Sequence, residues 1–107
     1  MGKSKVMLIG YFVNGVQLRQ ASNIREWTRE VFKKFPVCAW IECNNKSTDP
    51  HHIIRKGSRV DLKLVIENGV GFCRWHHRKV ENMMVQRYWD LMELIVGKSL
   101  CDMLRRM

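Results

Sequence analysis

The four histidines of this chain occur as two adjacent pairs, with cysteines near both. The pairs are His51–His52, within DPHHIIRK, and His76–His77, within FCRWHHRK. Imidazole exchanges protons near neutral pH and is a common ligand of transition metals. Two such pairs in one short chain therefore indicate chemistry that uses protons, metal ions or both.

Three of the four cysteines have the spacing of a metal centre. Cys38 and Cys43 are separated by four residues, and Cys73 lies three residues before His76. Two chelating pairs of this kind form a tetrahedral Cys3His set, which is typical of structural zinc. Buried free thiols are the alternative, and disulfides are disfavoured in the cytoplasm, where we expect this chain. Cys101 lies in an apolar run and is expected in the core.

Helix geometry divides the second histidine pair between two tasks. If a helix covers 73–81, successive side chains are about 100° apart, so His76 and His77 point in different directions. Cys73 can share an ion with His76 at i+3 or with His77 at i+4. The spacing leaves both pairings open, and either one leaves a histidine for another purpose.

The remaining histidine has natural partners in His51 and His52. These follow Pro50 at an expected strand start, and 59–73 provides a return segment with a turn or loop at Asn68–Gly69 before the helix. Metal-dependent phosphodiester hydrolysis needs a water-accessible ion and a neutral imidazole that takes a proton from water. Adjacent strand residues point to opposite faces, so both histidines serve one site only if the strand twists or ends there.

In their order and spacing, these blocks resemble the HNH endonuclease family. PHHII at 50–54, ENGVGFC at 67–73 and CRWHH at 73–77 are similar to the family's His-His-Ile, Asn-Gly-x-x-x-Cys and Cys-x-x-Cys-His blocks. Residues 26–43 resemble the helix and first cysteine knuckle of small phage-type members. The resemblance covers about residues 24–81 and rests on the blocks together, since no single block is specific.

The resemblance implies a role for each histidine. His52 would activate the water nucleophile, while His51 and His77 would hold one catalytic divalent ion: Mg²⁺, Mn²⁺, Ni²⁺ or Zn²⁺. Asn68 would fix the loop or orient the general base, as a further catalytic residue. A histidine replaces the family's usual fourth zinc cysteine, and the first knuckle has four intervening residues instead of the commoner two. The residues implied for the structural zinc are Cys38, Cys43, Cys73 and His76.

The charge of the chain favours a polyanionic partner. It has 19 Lys and Arg against 10 Asp and Glu, a net charge of +9. Such a field attracts nucleic acid first and acidic membrane surfaces second. We expect double-stranded DNA as the partner, and no membrane; the oligomeric state is left open. The basic residues that flank the histidine blocks, and that we expect to contact DNA, are Arg55, Lys56, Arg59, Arg78 and Lys79.

The expected architecture is one α+β domain of 107 residues with a ββα-metal core and a structural zinc. A hairpin in 1–22, turning at Asn14–Gly15, and a basic helix in 23–37 precede the zinc and nuclease core at 38–81. C-terminal helices fill 82–107, with an apolar stripe that predicts core packing.

Three functions remain in competition. The leading hypothesis is a metal-dependent DNA endonuclease, acting in the cytoplasm, which is the host cytoplasm if the chain is phage-encoded. The alternative is a zinc-stabilised nucleic-acid-binding protein without catalysis, which explains the charge and the cysteines but not three further histidines. A protein of the membrane surface is the weakest. Trp40 and Trp75 are expected to pack in the knuckle and core rather than to stack on bases.

Overall fold

The computed structural model describes residues 6–13, 16–55, 57 and 59–107. Strand β1 (Met7–Val13) pairs antiparallel with β2 (Val16–Gln20). The predicted N-terminal hairpin is therefore confirmed, and its predicted Asn14–Gly15 turn lies outside the described residues.

Helix α1 (Ile24–Lys34) follows the hairpin, as the sequence predicts. It begins at Asn23, whose side-chain oxygen accepts a hydrogen bond of 2.8 Å from the backbone N–H of Glu26. This bond satisfies one of the free N–H groups of the first turn. Trp27 and Val31 form the buried face of the helix, which packs against the second strand pair.

That second pair is β3 (Asp49–His52) and β4 (Gly69–Phe72), which are antiparallel, and helix α2 (Arg74–Glu81) follows β4 directly. The connection between the strands includes two 3₁₀ turns, Val60–Leu62 and Ile66–Asn68. The order strand, strand, helix brings both histidine pairs to one region of the fold.

Two further helices complete the chain, α3 (Val85–Val96) and α4 (Lys98–Arg106). Gly97 separates them with a φ of 95°, a conformation that favours glycine. The stripe predicted along α3 packs against the main core, in which Phe72 and Met92 are fully buried. The predicted α+β class is confirmed, and no helix in the described ranges is long and apolar enough to cross a bilayer.

A close approach at Gly69 fixes α1 against β4. A Cβ atom at this position would lie 2.3 Å from Cγ2 of Val31 and 2.9 Å from the ring of Trp27. Only glycine fits this contact, because both distances are far below van der Waals separation. The contact sets the distance between α1 and the end of β3, where the first histidine pair lies.

Candidate functional site

Three cysteines and one histidine form a compact ligand cluster. The ligand atoms of Cys38, Cys43, Cys73 and His76 all lie within 4.8 Å of one another. Nδ1 of His76 is 3.5 Å from Sγ of Cys38 and 3.4 Å from Sγ of Cys73. Zinc bonds of about 2.3 Å to sulfur and 2.0 Å to nitrogen at tetrahedral angles separate ligand atoms by roughly 3.5–3.8 Å. The predicted Cys3His group can therefore hold a structural metal such as zinc, and Cys73 is paired with His76, not with His77.

A tight turn accommodates the wide first knuckle. The N–H of Cys43 donates to the carbonyl of Trp40 at 3.0 Å, and that of Cys38 donates to the carbonyl of Asn45 at 2.8 Å. Glu42 completes the turn with a φ of 64°, which is uncommon for a residue with a side chain. Four intervening residues thus bring the two sulfurs to one side of the loop.

Neighbouring groups hold the cluster in place. The ring of Trp40 stacks on that of His76, with centroids 4.5 Å apart, and the Asn45 amide donates to Sγ of Cys73 at 3.8 Å. Burial raises the pKa of the Cys38 thiol to about 11. A thiolate at this position therefore needs a cation beside it. Burial and the nearby charge of Lys79 lower the pKa of His76, which favours the neutral, ligating form of its ring.

A separate cavity of about 360 Å³ lies at the end of β3, and His51, His52 and His77 all line it. β3 ends at His52, which is the condition for both members of that pair to reach one site. His51 contacts His77 of α2 and Tyr88 of α3. His52 contacts Trp27 of α1. The other residues of the cavity wall are Ile24, Trp27, Thr28, Pro50, Arg55, Gly57 and Glu81.

Hydrogen bonds define the protonation of His51. Oη of Tyr88 lies 2.5 Å from the carbonyl oxygen of Ile53 and 2.8 Å from Nε2 of His51. A carbonyl only accepts, so the Tyr88 hydroxyl donates to Ile53 and accepts from Nε2–H of His51. The lone pair of His51 is therefore on Nδ1. Burial first, and then the charges of His77, His52 and Arg55, lower the pKa of His51 to about 3, so its ring stays neutral.

A clamp of two groups orients His52. Its ring stacks on the indole of Trp27, with centroids 3.9 Å apart and planes inclined by 7°. Nε2–H donates to the carbonyl of Lys63 at 2.9 Å, which puts the lone pair on Nδ1. Trp27 is itself fixed, because its Nε1–H donates to the carbonyl of Val65 at 2.9 Å. The ring of His52 thus has a defined plane and a defined tautomer.

Carboxylates flank His77 on both sides. Its Nδ1–H donates to Oδ2 of Asp49 at 3.0 Å, and its Nε2 lies 3.9 Å from Oε1 of Glu81. Burial opposes ionisation of Asp49, but the hydrogen bonds from His77, Thr48 and Arg74 together keep the pKa of Asp49 below its ordinary value. His77 therefore has its lone pair on Nε2. Its ring centroid is 5.3 Å from that of His51.

Asn68 is fully buried and bonded to the loop that follows β3. Its Oδ1 accepts from the N–H of Ile54 at 2.8 Å, and its Nδ2 donates to the carbonyls of Ile54 at 3.1 Å and Leu62 at 3.2 Å. The sequence suggested two roles for Asn68, fixing the loop or orienting the general base. These contacts are those of a residue that fixes the loop. Asn68 positions the residues after His52 and is not among the residues that line the cavity.

The basic residues after the first histidine pair differ in their surroundings. Arg55 is exposed and lines the cavity. Arg59 is paired with Asp61 at 2.7 Å and also donates to the carbonyl of Met107. Lys56 lies outside the described residues. Arg55 is thus the member of this group that the structure brings to the histidines.

Arg78 and Lys79 lie on a different face of α2 from His77. They line a separate surface depression together with Trp40 and Trp75. The structure therefore places these two predicted DNA contacts beside the cysteine cluster rather than in the wall of the histidine cavity.

Four residues of the site were not singled out from the sequence. For Asp49 and Glu81 the sequence did contain a signal. Asp49 is two residues before His51 on one strand, and Glu81 is four residues after His77 on one helix face. Trp27 and Tyr88 had no signal beyond apolar periodicity, which predicts only that they are buried.

No family model, curated protein or solved structure matches this chain.

Proposed function

We propose that this protein is a metal-dependent DNA endonuclease of the HNH type that hydrolyses phosphodiester bonds. The observation that supports it best is the convergence of His51, His52 and His77 on one cavity. Each imidazole has a different fixed hydrogen-bond partner, so each presents a defined nitrogen. Three neighbouring histidines that are each oriented by a different partner are more typical of a functional site than of an ordinary protein surface.

The donor set suits a divalent ion held by His51 and His77. Nδ1 of His51 and Nε2 of His77 carry the lone pairs, and Tyr88 and Asp49 hold the opposite ring nitrogens, an arrangement typical of metal-ligating histidines. The nearest carboxylate oxygen shown beside Nε2 of His77 is Oε1 of Glu81, at 3.9 Å. A bound ion would neutralise the scissile phosphate and stabilise the leaving 3′ oxygen. Imidazole-rich ligation favours Mn²⁺, Ni²⁺ or Zn²⁺ alongside Mg²⁺.

His52 is then the general base. Its Nδ1 takes a proton from water as the water oxygen bonds to phosphorus and the bond from phosphorus to the 3′ oxygen breaks. The Lys63 carbonyl, which accepts from Nε2–H, stabilises the imidazolium that forms. Stacking on Trp27 keeps the ring in the plane that this transfer requires.

The surface around the cavity is suited to a phosphate backbone. Arg55 is in the wall of the cavity itself. A depression on the outer face of α1 shares Ile24 and Thr28 with that wall. Together with the net charge of +9, this supports a path for DNA along α1. The basic residues of that depression are Arg25, Arg29 and Lys33.

Plasmid nicking by purified protein tests the proposal. Wild type should nick with Mg²⁺, Mn²⁺ or Ni²⁺ and not with a chelator present. His52→Ala should lower the rate by about 10²–10⁴-fold, the usual contribution of a positioned general base, and leave DNA and metal affinity unchanged. Imidazole added to His52→Ala should restore part of the rate by stacking on Trp27. Equal losses of nicking and DNA binding in His52→Ala would count against the assignment.

The cysteine cluster also supports a second candidate, a zinc-stabilised nucleic-acid-binding protein without catalysis. Within the described part of the chain, it is the one group of three or more Cys, His or acidic ligand atoms that could share an ion. Metal analysis should then find one zinc per chain, with DNA binding but no nicking by any of the three ions. Measuring metal content and nicking on one sample separates the two candidates.

A further inference from the structure

The outer face of α2 presents an exposed indole. Trp75 is 66% exposed, so the prediction that it packs in the core is wrong. The physical reason is helical phase. His76 and Val80, at i and i+4, point to the cluster and the core, which leaves Trp75 and Lys79 on the solvent side.

Two cationic side chains line the depression that contains this indole. Nζ of Lys79 lies 5.5 Å from the ring centroid of Trp75 and 5.9 Å from that of Trp40, so one ammonium group contacts two indoles. Arg78 lines the same depression, which has a volume of about 410 Å³. Among the described residues, no carboxylate lines it; the members besides these four are Asn82 and Met83.

Two contacts restrain residues that line the depression. The far side of Trp40 stacks on the ring of His76, which belongs to the cysteine cluster. The amide of Asn82 donates to the carbonyl of Arg78 at 2.9 Å and so fixes the end of the helix. These contacts fix Trp40 and the end of α2, so this part of the depression loses little conformational entropy when a ligand binds.

A flat π system next to negative charge complements this surface. Nucleobases stack on exposed aromatic side chains, and adjacent phosphates pair with Lys and Arg. In the interior of a duplex both faces of each base are covered by neighbouring bases, so an interior base must leave the stack before it can stack on Trp75. Stacking is tolerant of sequence because every base has a π face, so we expect contact without base selection.

We propose that the outer face of α2 binds an unpaired base of single-stranded DNA on Trp75, with Arg78 and Lys79 contacting the flanking phosphates. This inference rests on the proposed function in one respect, that the polyanion is DNA. It does not require the protein to be catalytic. If the protein is also an endonuclease, its substrate class is DNA with a single-stranded segment close to the cut. Trp75 and His77 belong to one helix of about 10 Å diameter, so that segment lies within a few nucleotides of the scissile phosphate.

Fluorescence anisotropy with the full chain tests the inference. A single-stranded oligonucleotide and a duplex of the same length are titrated at one salt concentration without added divalent ion. Trp75→Ala should weaken single-strand binding about 5- to 150-fold, the range for one lost stacking contact, and leave duplex binding unchanged. Trp75→Phe, which keeps an aromatic face, should retain most of the affinity. Arg78→Ala and Lys79→Ala should each reduce the salt dependence of single-strand binding.

Two results would overturn the inference: wild-type single-strand affinity in Trp75→Ala, or an equal loss for single strand and duplex. Zinc content is measured for each variant, so that damage to the nearby cluster is recognised. Because no catalytic ion is present, an inactive enzyme does not affect the readout. A failure of the endonuclease proposal would appear in the nicking assay instead.

Discussion

The hydroxyl group of Tyr88 links helix α3 to the candidate catalytic ion, and Tyr88→Phe isolates its contribution. The substitution keeps the ring and removes one oxygen atom. That oxygen accepts from Nε2–H of His51 and donates to the carbonyl of Ile53. In the variant, Nε2–H of His51 and the carbonyl of Ile53 both lose this hydrogen-bond partner. The hydroxyl then no longer fixes the tautomer of His51.

Two magnitudes follow from these contacts. A buried polar group that loses its partner costs about 1–3 kcal/mol of unfolding free energy. In a domain of this length, each kcal/mol corresponds to a fall in Tm of about 4–8 °C. Outer hydrogen bonds to ligating histidines contribute about 10–100-fold to metal affinity. We therefore expect Tyr88→Phe to unfold at a lower temperature and to bind Mn²⁺ about 10–100-fold more weakly.

Three measurements check this expectation: thermal unfolding at fixed zinc, calorimetric titration with Mn²⁺, and NMR of the imidazole nitrogens of His51 without added Mn²⁺. Ser47→Ala is the matched control, because Oγ of Ser47 is a buried hydroxyl without a hydrogen-bond partner in the part of the chain that the structure describes. Because this hydroxyl has no hydrogen bond to lose among the described residues, Ser47→Ala should not lower the unfolding free energy, in contrast to Tyr88→Phe. If Tyr88→Phe keeps both the Nε2–H tautomer of His51 and wild-type Mn²⁺ affinity, the hydroxyl does not position this ligand.

Three further predictions concern the frame around the site. Asn68→Ala removes three hydrogen bonds to the loop after β3, so urea denaturation should show a loss of roughly 3 kcal/mol, about 1 kcal/mol per bond. Burial lowers the pKa of Lys34 to about 8, from 10.5. The unfolded chain therefore binds more protons between these values, and the unfolding free energy of wild type relative to Lys34→Met should rise as pH increases from about 8 to 10.5. An unchanged difference across that interval would contradict the burial of the charge. Gly69→Ala should destabilise by about 1–3 kcal/mol, because its Cβ would lie 2.3 Å from a side chain of α1. Gly57→Ala is the control, since a Cβ there has nothing within 4 Å.

Short-range signals account for what the sequence predicts well. Asn23 indicates a helix start because a cap acts over three residues. Helix spacing lets Cys73 share an ion with His76 at i+3 or with His77 at i+4, and the choice of His76 came from the family resemblance. Asp49 and Glu81 belong to the same category, since each lies on the same strand or helix as the histidine it accompanies. Such relations depend only on the local period of the backbone.

Long-range side-chain pairs are beyond this type of reasoning. Tyr88 is 37 residues from His51, and Trp27 is 25 residues from His52. Their apolar periodicity predicts burial, but it does not predict which polar group each ring will meet. The tautomers of the histidines depend on these distant partners, so the chemical detail of the candidate site could not be read from its motifs.

The phase of α2 has a consequence for how this protein can vary. Consecutive positions of one helix serve the cysteine cluster, the histidine cavity and the open surface, in rotation. Losing or gaining a single residue between Cys73 and His77 would turn everything beyond it by about 100°. Both ligand sets would then fail together, although no ligand had been replaced. Substitutions at Arg74 or Arg78 leave that phase intact, so an exchange at either position should preserve the direction of the ligands where a one-residue insertion would not.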